Sequence, residues 1–471
     1  MYSTIINNNF EVTSIHKLVY PLCTTSSLVC ALDYNHEIND NYSLLKLYNK
    51  YMFKYKPRSM NGVFAIEKPS GITSSKFIGD IQALFTQSEI FKNDLNEAKT
   101  KAAQALGTDK KWSKERINKR VKSLKVKIGH GGTLDPMASG VLVVGVGLGT
   151  KKLQYYLSEC NKTYETKALL GISTTTGDAE GEIITKNQVS HITQEMVKET
   201  APKFIGDLKQ TPPIFSALKM NGKPLYDYAR EGIPLPMPIK VRQVKVFDVK
   251  VHDEDSLRTD HEFQTLQSEL DEQGNPKEHE LSNNPTLNDS PLYFSEQYLS
   301  KAEAGGLPKE VGKPRSLADD SLPEKLPLIH LTADVSSGTY IRSLVSDYGR
   351  ALESSAYMVE LIRVRQSEWQ LGKNVFKMSD FENRDERIWG PVLKKVLDSD
   401  HDIDVLKELN DFSEKIAPLL EREQEVIEKF GDANKQDKET HVAETTSIEN
   451  TNTTEKDAEI PKKRTIDEIE I

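Results

Sequence analysis

Regular spacing of apolar residues predicts strands and helices over most of the stretch 60–380. Val63–Lys68 and Leu328–Val335 alternate apolar and polar positions, which is typical of half-buried strands, and Val141–Val144 is a β-branched run that suits a buried strand. Apolar positions three and four residues apart between Ile341 and Leu352 predict an amphipathic helix. We therefore predict one folded domain over 60–380 that mixes strands with helices.

This periodic pattern stops or weakens in four other stretches. Residues 254–324 cluster acids among Asn, Ser, Pro and Gly, and such a composition cannot bury enough apolar surface to fold alone. We expect a disordered acidic insertion there, between two neighbouring strands, and a disordered acidic tail over 431–471. Residues 1–59 are expected to be a poorly ordered N-terminal extension, and residues 381–430 a helical C-terminal appendage.

Composition narrows the class of protein only modestly. The chain has 471 residues, of which 37% are hydrophobic and 28% charged, which fits an ordinary core with a sizeable solvated fraction. Its three cysteines form no disulfide or metal-binding pattern, so a reducing compartment is expected. No run approaches the roughly 18 apolar residues of a membrane span. The net charge of −9 would argue against nucleic acid if the charge were spread evenly.

Positive charge is instead concentrated in residues 110–127, directly before a glycine-rich loop. Glu115 is the single acid in this stretch. The cationic side chains are Lys110, Lys111, Lys114, Arg116, Lys119, Arg120, Lys122, Lys125 and Lys127. A charge run is usually the solvated face of a helix. A run of one sign favours a patch for an RNA backbone, with Lys119 and Arg120 as candidate contacts.

The glycine-rich loop Gly129–Gly140 presents a single carboxylate. Gly131 and Gly132 tolerate positive φ and leave room for a second backbone, and Pro136 disfavours a helical conformation for Asp135. From these residues alone, Asp135 is either an ordinary turn residue or a catalytic group held on a stiff turn. The spacing of the glycines matches neither a P-loop nor a dinucleotide-binding turn.

Five blocks stand in order along the chain. They are Lys68–Gly71 (K-P-x-G), Gly129–Gly140 (G-H-x-G-T-L-D-P-x-A-x-G), Lys162–Tyr164 (K-x-Y), Gln210–Lys219 (Q-x-P-P-x-x-S-A-x-K) and Gly338–Leu344 (G-T-Y-I-R-x-L). Together they resemble the TruB family of RNA pseudouridine synthases. The resemblance implies an α/β fold of the α+β type, with a mixed, mainly antiparallel sheet, flanking helices and a central RNA-binding cleft. It also implies isomerisation of uridine 55 in the T-loop of tRNA, with no metal or organic cofactor.

The resemblance also implies roles for four side chains. Asp135 would be the nucleophile, Arg342 its ion-pair partner, and Tyr164 the residue that stacks on the target base and abstracts a proton. His130 would fill the space left when the uridine is flipped out, a step that costs a few kcal/mol. Taken alone, Tyr164 would more often be a core residue and Arg342 a solvated one, although a cation in the first turn of a helix favours an anionic partner.

Contacts to RNA are implied for Lys68, for Lys219 and for the loop glycines Gly131 and Gly132. Taken alone, Lys68 fits the plain end of a strand equally well. Lys219 fits a solvated surface lysine as well as it fits a phosphate contact.

Two regions differ from the family pattern. Leu361–Trp369 departs from the usual L-R-R-x-x-x-G-x-F at Ile362, Ser367 and Trp369, and we assign this segment no catalytic role. After about residue 380 no RNA-binding PUA domain is recognisable, which argues against an enzyme that depends on a guide RNA.

The expected partner is tRNA, which the protein would bind through the T-arm, and messenger RNA is left open as a second substrate. We expect a monomer that does not bind a membrane. Three alternatives remain: a guide-RNA-dependent synthase acting on ribosomal RNA, a non-catalytic RNA-binding or chaperone protein of the same fold, and an acidic interaction scaffold. We expect the nucleus and the mitochondrion as locations, with the cytoplasm left open. Pro461–Arg464 is a short basic run typical of nuclear import, whereas residues 1–59 lack the composition of a transit peptide.

Overall fold

The computed structural model describes residues 59–108, 111–268, 273, 281, 283–317, 321–398 and 402–445. The chain divides into two compact units, of which the larger contains Tyr48–Ser413. Our expectations for residues 1–58, for the basic run Pro461–Arg464 and for the tail from residue 446 onward lie outside the described residues. Within the described residues, no helix is both long enough and apolar enough to cross a membrane.

Thirteen strands lie in the described part of the larger unit. They are β1 (Gly62–Lys68), β2 (Ile128–His130), β3 (Ser139–Val146), β4 (Lys162–Leu170), β5 (Ile172–Thr174), β6 (Ile183–Lys186), β7 (Gly206–Gln210), β8 (Lys219–Met220), β9 (Lys223–Pro224), β10 (Arg242–Val251), β11 (Leu328–Val335), β12 (Ala356–Gln366) and β13 (Trp369–Gln370).

Nine of these described strands form one sheet, in the order β1-β3-β12-β4-β11-β10-β7, with β2 on β3 and β13 on β12. The contact between β3 and β12 is parallel, with Ile362 opposite Ser139, and every other pair of the sheet is antiparallel. The predicted fold class, a mixed and mainly antiparallel sheet with flanking helices, is confirmed. Strands distant in sequence therefore lie side by side at the centre of the sheet.

Eleven α-helices accompany the described strands. They are α1 (Ser74–Gln87), α2 (Lys92–Gly107), α3 (Lys114–Lys122), α4 (Leu153–Ser158), α5 (Gln194–Thr200), α6 (Leu225–Arg230), α7 (Glu296–Gly305), α8 (Ile341–Ala351), α9 (Met378–Glu382), α10 (Glu386–Asp398) and α11 (Val405–Thr445).

Helix α1 shows how local sequence sets an element that later supports the site. Thr73 is its N-cap, and the Thr73 hydroxyl accepts from the backbone N–H of Lys76 at 3.2 Å. Phe77, Ile81 and Phe85 recur at helical spacing and are buried. The side chains of Phe85, Phe381 and Trp389 are in ring contact, so α1 packs with α9 and α10 in one aromatic cluster.

The main core lies where α8 packs on the sheet. Its buried members include Leu344, Val345 and Tyr348 of α8 together with Ala168 and Leu331 of the central strands. Burial of apolar side chains is the largest favourable term in folding, and each such side chain contributes about 1.5–3 kcal/mol. Helix α8, whose N-terminal turn carries Arg342, is therefore firmly seated.

The predicted disorder of residues 254–324 is wrong for the part of this insertion that the structure describes. The insertion contains α7 and a short 3₁₀ helix, Leu287–Asp289. Leu281, Leu287 and Phe294 are buried, and Phe294 joins the main core. Composition indicated that the segment cannot fold alone. Its apolar residues instead pack against side chains from other parts of the fold, Phe294 in the main core and Leu281 in a smaller cluster.

The C-terminal region is helical, with α10 and α11 separated by a short connection. Helix α11 continues to Thr445, so a disordered tail that begins at residue 431 is wrong for residues 431–445.

Candidate active site

The turn that carries Asp135 connects β2 to β3 and is tied to α1. The hydroxyl of Ser74, at the start of α1, donates to the carbonyl of Leu134 at 3.0 Å and accepts from the Leu134 N–H at 2.9 Å. The N–H of Ala138 donates to the carbonyl of Asp135 at 3.1 Å, which closes the turn. Leu134 and Ala138 are buried, whereas the Asp135 side chain is 34% exposed. The two apolar neighbours thus anchor a turn whose carboxylate remains accessible.

Lys68, at the end of β1, lies beneath this turn rather than on the surface. Its side chain is fully buried, and Nζ donates to the carbonyls of Pro69, Ile72 and Pro136 at 2.8, 2.6 and 3.2 Å. Burial lowers the pKa of Lys68 from 10.5 to about 8, and the nearby Asp135 carboxylate opposes that shift. The predicted contact of Lys68 with RNA is therefore wrong, because its ammonium is engaged in fastening the Asp135 turn to the end of β1.

Asp135 and Arg342 form the ion pair that the sequence predicts. Arg342 Nε lies 2.9 Å from Asp135 Oδ2 and 3.7 Å from Asp178 Oδ2. The side chains of Arg342 and Asp178 are 5% and 4% exposed. A buried guanidinium is thus shared between one accessible and one buried carboxylate.

The two terminal nitrogens of Arg342 each donate to a backbone carbonyl. Nη1 donates to the carbonyl of Thr176 at 2.9 Å and Nη2 to the carbonyl of Phe215 at 2.7 Å. Both terminal nitrogens of the guanidinium therefore have a fixed acceptor, which determines the direction of Nε toward Asp135. Gln210 fixes the start of α8 in turn, because its side-chain amide exchanges two hydrogen bonds with the backbone of Tyr340, at 2.8 and 3.0 Å.

Asp178, to which our sequence analysis assigned no role, is held in its own turn between β5 and β6. Its Oδ1 accepts from the hydroxyl of Thr176 at 2.6 Å and from the N–H of Glu180 at 3.0 Å. Partial burial and the carboxylates of Asp178 and Asp135 raise the pKa of Glu180. Three acids therefore surround Arg342. The T-x-D spacing at Thr176–Asp178 was the signal in the sequence that could have identified Asp178.

Tyr164 lies on β4, is 8% exposed, and belongs to the same core cluster as Leu134 and Ala138, which flank the nucleophile candidate. Its hydroxyl accepts from Arg363 Nη1 at 3.4 Å, and the guanidinium carbon of Arg363 lies 6.0 Å from the centre of its ring. Tyr164 is thus both a core residue and a site residue.

Arg363 is a second site residue that our sequence analysis missed, after Asp178. It is 1% exposed on β12, and besides Tyr164 it donates from Nε to the carbonyl of Val141 at 2.7 Å and from Nη2 to the carbonyl of Gly132 at 3.0 Å. One buried cation therefore links the glycine loop, the strand after it and the tyrosine. Arg363 retains the second arginine of the family's L-R-R pattern, and this signal was masked by the departures around it.

His130 and the loop glycines pack closely around these groups. Burial and the guanidinium of Arg363 lower the pKa of His130, so the ring is neutral at pH 7. At Gly131 a Cβ atom would lie 2.6 Å from Cβ of Tyr156 on α4, and Gly132 adopts a φ of 132°. Both glycines are thus required by the shape of the loop.

The other predicted RNA contacts lie on the surface, apart from this cluster. Lys219 is exposed on β8, in the hairpin that follows Phe215. Lys119 and Arg120 are exposed on α3, a helix with no buried residue among those described. The structure therefore brings Asp135, Arg342 and Tyr164 toward one place but leaves Lys219, Lys119 and Arg120 around it.

The site thus combines an accessible carboxylate with a buried arginine, and carboxylates are among the side chains that enzymes use as nucleophiles. Comparison with known families makes the class specific. A model of the N-terminal domain of TruB family pseudouridylate synthases matches residues 119–268. The chain belongs to the TruB family of pseudouridine synthases, and it is an RNA pseudouridine synthase, an isomerase.

Relatives support this assignment over most of the chain. It is 48% identical over 371 residues to tRNA pseudouridine synthase 4 of Saccharomyces cerevisiae, covering 76% of this chain and 90% of the relative. It is 37% identical over 348 residues to tRNA pseudouridine synthase 4 of Schizosaccharomyces pombe, covering 68% and 82%. Among solved structures, that of a Cbf5–Nop10–Gar1 complex matches with 18% identity and a TM-score of 0.34, over 68% of this chain and 53% of that one.

Proposed function

We propose that this protein is a tRNA pseudouridine synthase that isomerises uridine 55 in the T-loop, with Asp135 as its nucleophile. The observation that carries the proposal is the 2.9 Å pair between Asp135 and Arg342 on an accessible glycine-rich turn. Two relatives that share most of their length with this chain are tRNA pseudouridine synthases by name. The T-arm as the recognised element and uridine 55 as the position rest on the resemblance of the loop and Arg342 motifs.

The reaction rearranges one nucleotide without a net change in atoms. The bond between N1 and C1′ breaks, the base rotates while it remains bound, and C5 forms a bond to C1′. C5 then loses its hydrogen to solvent, and N1 gains one. A hydrogen released from C5 is therefore the signature of turnover.

The residues of the site divide this work. A uridine in a folded loop must be flipped out, and His130, neutral beside the glycine turn, occupies the vacated place. Tyr164 stacks on the flipped base, which contributes roughly 1–3 kcal/mol, and takes the proton from C5. Asp135 acts as a carboxylate, either by attack on C1′ or C6 or by assisting glycal formation through C2′. Arg342 aims it because the guanidinium itself is fixed by backbone acceptors.

A basic surface on and beside α3 supplies a further RNA contact. The lining residues are Lys111, Trp112, Arg116, Lys119, Arg120 and Ser123. Of these described residues four are cationic and none is acidic. The guanidinium of Arg120 lies 5.7 Å from the centre of the Trp112 ring, which holds it in place. Neutralisation of phosphates by such groups supplies most of the nonspecific affinity for RNA.

This basic surface lies some distance from the catalytic turn. The start of α1 binds Leu134 through Ser74, whereas Gln82 and Thr86 near its end bind the backbone of Val126, just after the basic helix. At 1.5 Å per residue, Ser74 and Thr86 are about 18 Å apart. The surface therefore suits an RNA segment several nucleotides away from the flipped uridine, and Lys219 suits one closer to it.

Tritium release from RNA labelled at C5 of uridine tests the proposal. We expect release from a T-arm hairpin by the wild-type protein without any guide RNA, and none by Asp135→Asn. Release that requires a guide particle would favour a guide-dependent enzyme, and tight binding without release would favour a non-catalytic chaperone. Release by both proteins would retain the class of enzyme and refute Asp135 as the nucleophile.

A charge-neutralised variant tests the basic surface separately. We expect Arg116→Gln, Lys119→Gln and Arg120→Gln together to raise KM for full-length tRNA with little change in kcat. The salt dependence of binding should also weaken, by about 0.7–0.9 log units per log unit of salt for each phosphate that the variant no longer neutralises. The control removes the same charge elsewhere, by Lys301→Gln, Lys309→Gln and Lys313→Gln. An equal rise in KM for both variants would show that only the net charge matters.

We further propose that one copy of the chain is active, that messenger RNA hairpins resembling the T-arm are substrates, and that the protein acts in nucleus and mitochondrion. Sedimentation of the active enzyme, tritium release from such hairpins, and fractionation of cells that carry the tagged full chain test these proposals in turn.

A further inference from the structure

The insertion that separates β10 from β11 contacts both segments that hold Arg342. One of these segments is the turn Thr176–Asp178, whose Thr176 carbonyl accepts from Nη1 and whose Asp178 carboxylate faces Nε. The other is the stretch 211–241, whose Phe215 carbonyl accepts from Nη2. The stretch 211–241 lies outside the nine-stranded sheet, whereas the turn is attached to β12, because the Gly177 carbonyl accepts from the Met358 N–H at 3.1 Å. The insertion is therefore a second support for the turn and a support outside the sheet for the stretch 211–241.

The stretch 211–241 is fastened to the insertion by a small core and by one asparagine. Leu281 of the insertion is buried in a cluster with Ile214, Leu225 and Ala229, against which Phe215 also packs. Asn284 is 8% exposed. Its side-chain amide donates to the carbonyl of Ile233 at 3.1 Å and accepts from the N–H of Leu235 at 3.1 Å. Such a two-point contact fixes a backbone in both position and direction.

The turn Thr176–Asp178 is supported by the next residues of the insertion. Leu287 is buried, and a Cβ atom placed on Gly177 would lie 2.7 Å from its Cδ1. Asn288 donates from its side chain to the hydroxyl of Ser173 at 2.7 Å, at the strand that leads into the turn. Thr286 and Asp289 form a capping box, which fixes the short helix between them.

We propose that Leu281 and residues 283–289 form a brace that positions Arg342, and through it Asp135, for the reaction set out under the proposed function, on which this inference rests. The brace contacts both segments directly, so it fixes the separation of the two backbone acceptors of the guanidinium. Its residues are positioning residues, because they act on Arg342 through the backbone that binds it.

Asn284→Ala and Leu287→Ala test the brace in the full chain. We expect kcat for tritium release to fall about ten- to a hundredfold in each variant, since small displacements of an aimed group have effects of this size. KM for tRNA should stay within about twofold, because neither side chain is placed against the RNA. Asn284→Asp retains the acceptor for Leu235 but not the donor for Ile233, and we expect an intermediate kcat.

Two controls separate positioning from simple loss of stability. Phe294→Leu removes part of an insertion residue that packs on Phe204 and Tyr298, away from both segments, and should lower Tm without lowering kcat. Combining Asn284→Ala with Arg342→Lys should reduce kcat by less than the product of the single effects, because the brace acts only through Arg342.

The outcomes are distinguishable. Unchanged kcat in Asn284→Ala and Leu287→Ala, with active wild-type protein, overturns the brace and leaves the proposed function standing. A raised KM with unchanged kcat shows that the insertion contacts the substrate, and it also overturns the brace. Absence of release by the wild-type protein refutes the proposed function and the brace with it.

Discussion

Replacing Arg363 by methionine tests the site residue that the tertiary structure adds to the sequence motifs. The substitution removes a cation that is 1% exposed and that donates to the carbonyls of Gly132 and Val141 and to the hydroxyl of Tyr164. Methionine has similar length and adapts to irregular space. The perturbation therefore removes the donors while it retains most of the packing.

The expected magnitudes follow from these hydrogen bonds. Two good hydrogen bonds from a charged donor contribute roughly 3–6 kcal/mol together. Removing a buried charge recovers several kcal/mol of desolvation, so the free energy of unfolding should fall by only about 1–3 kcal/mol. The effect on kcat should be larger than the effect on stability, because Gly132 and Tyr164 both lose the side chain that donates to them. A displacement of about 1 Å costs roughly a hundredfold in rate, and we expect that reduction in kcat.

Single-turnover tritium release and urea unfolding measure the two effects. The matched control is Arg365→Met, two residues along the same strand, where an arginine with a 43% exposed side chain pairs with Asp334 at 3.2 Å. A surface pair contributes about 0–1 kcal/mol, so this control should retain both stability and kcat. If Arg363→Met lowers stability but leaves kcat at the wild-type level, Arg363 supports the fold alone and our reasoning about Tyr164 is refuted.

Three further predictions concern buried ionisable groups. Lys68→Met should lower the free energy of unfolding by about 2–4 kcal/mol, since three loop carbonyls lose their donor. The pKa of Lys68 is about 8 in the folded protein and 10.5 ordinarily, so the stability of the wild-type protein relative to this variant should increase as the pH rises from 8 to 10.5. Urea unfolding measures this difference, and stability curves that stay parallel across that pH range would contradict the assignment. The lowered pKa of His130 predicts that stability falls as the pH drops below 6.5, a dependence that His130→Asn should weaken in the same assay. Burial raises the pKa of Asp347 to about 7, although Arg350 opposes the shift, so ionisation costs stability as the pH rises from 3.8 toward 7. Asp347→Asn should therefore raise Tm at pH 8 but not at pH 4, and an equal change at both would disprove this.

Some candidate site residues could be predicted because their signal is local. Asp135 stands in a run of glycines before a proline, and Arg342 stands in the first turn of a helix, where an unpaired cation is disfavoured. The local signal of Arg363, the second arginine of an L-R-R pattern, is masked by the departures at Ile362, Ser367 and Trp369. Arg363 lies within a strand, and its three hydrogen-bond acceptors come from parts of the chain about two hundred residues away.

Burial also depends on parts of the chain that local sequence does not contain. Lys68 stands in the sequence as a charged residue at the end of a strand. It is buried because Pro136, 68 residues later, returns its carbonyl to the same place. The insertion is a second case in which local sequence does not predict burial. Composition indicates whether a segment can fold alone, but it does not indicate whether the segment can pack on a core formed by other parts of the chain.

The sequence by itself therefore determined the main strands and helices and the stiff turn that carries Asp135, because periodicity and turn chemistry are properties of neighbouring residues. The arrangement of the sheet and the pairing of Asp135 with Arg342 were implied by the resemblance of the motifs to the TruB family. Tertiary structure alone decided that Lys68 fastens the turn, that Arg363 joins the loop to Tyr164, and that the brace contacts both segments around Arg342. These features depend on which distant surfaces meet when the sheet forms. Hydrogen bonds and burial between such surfaces exist only once the chain has folded.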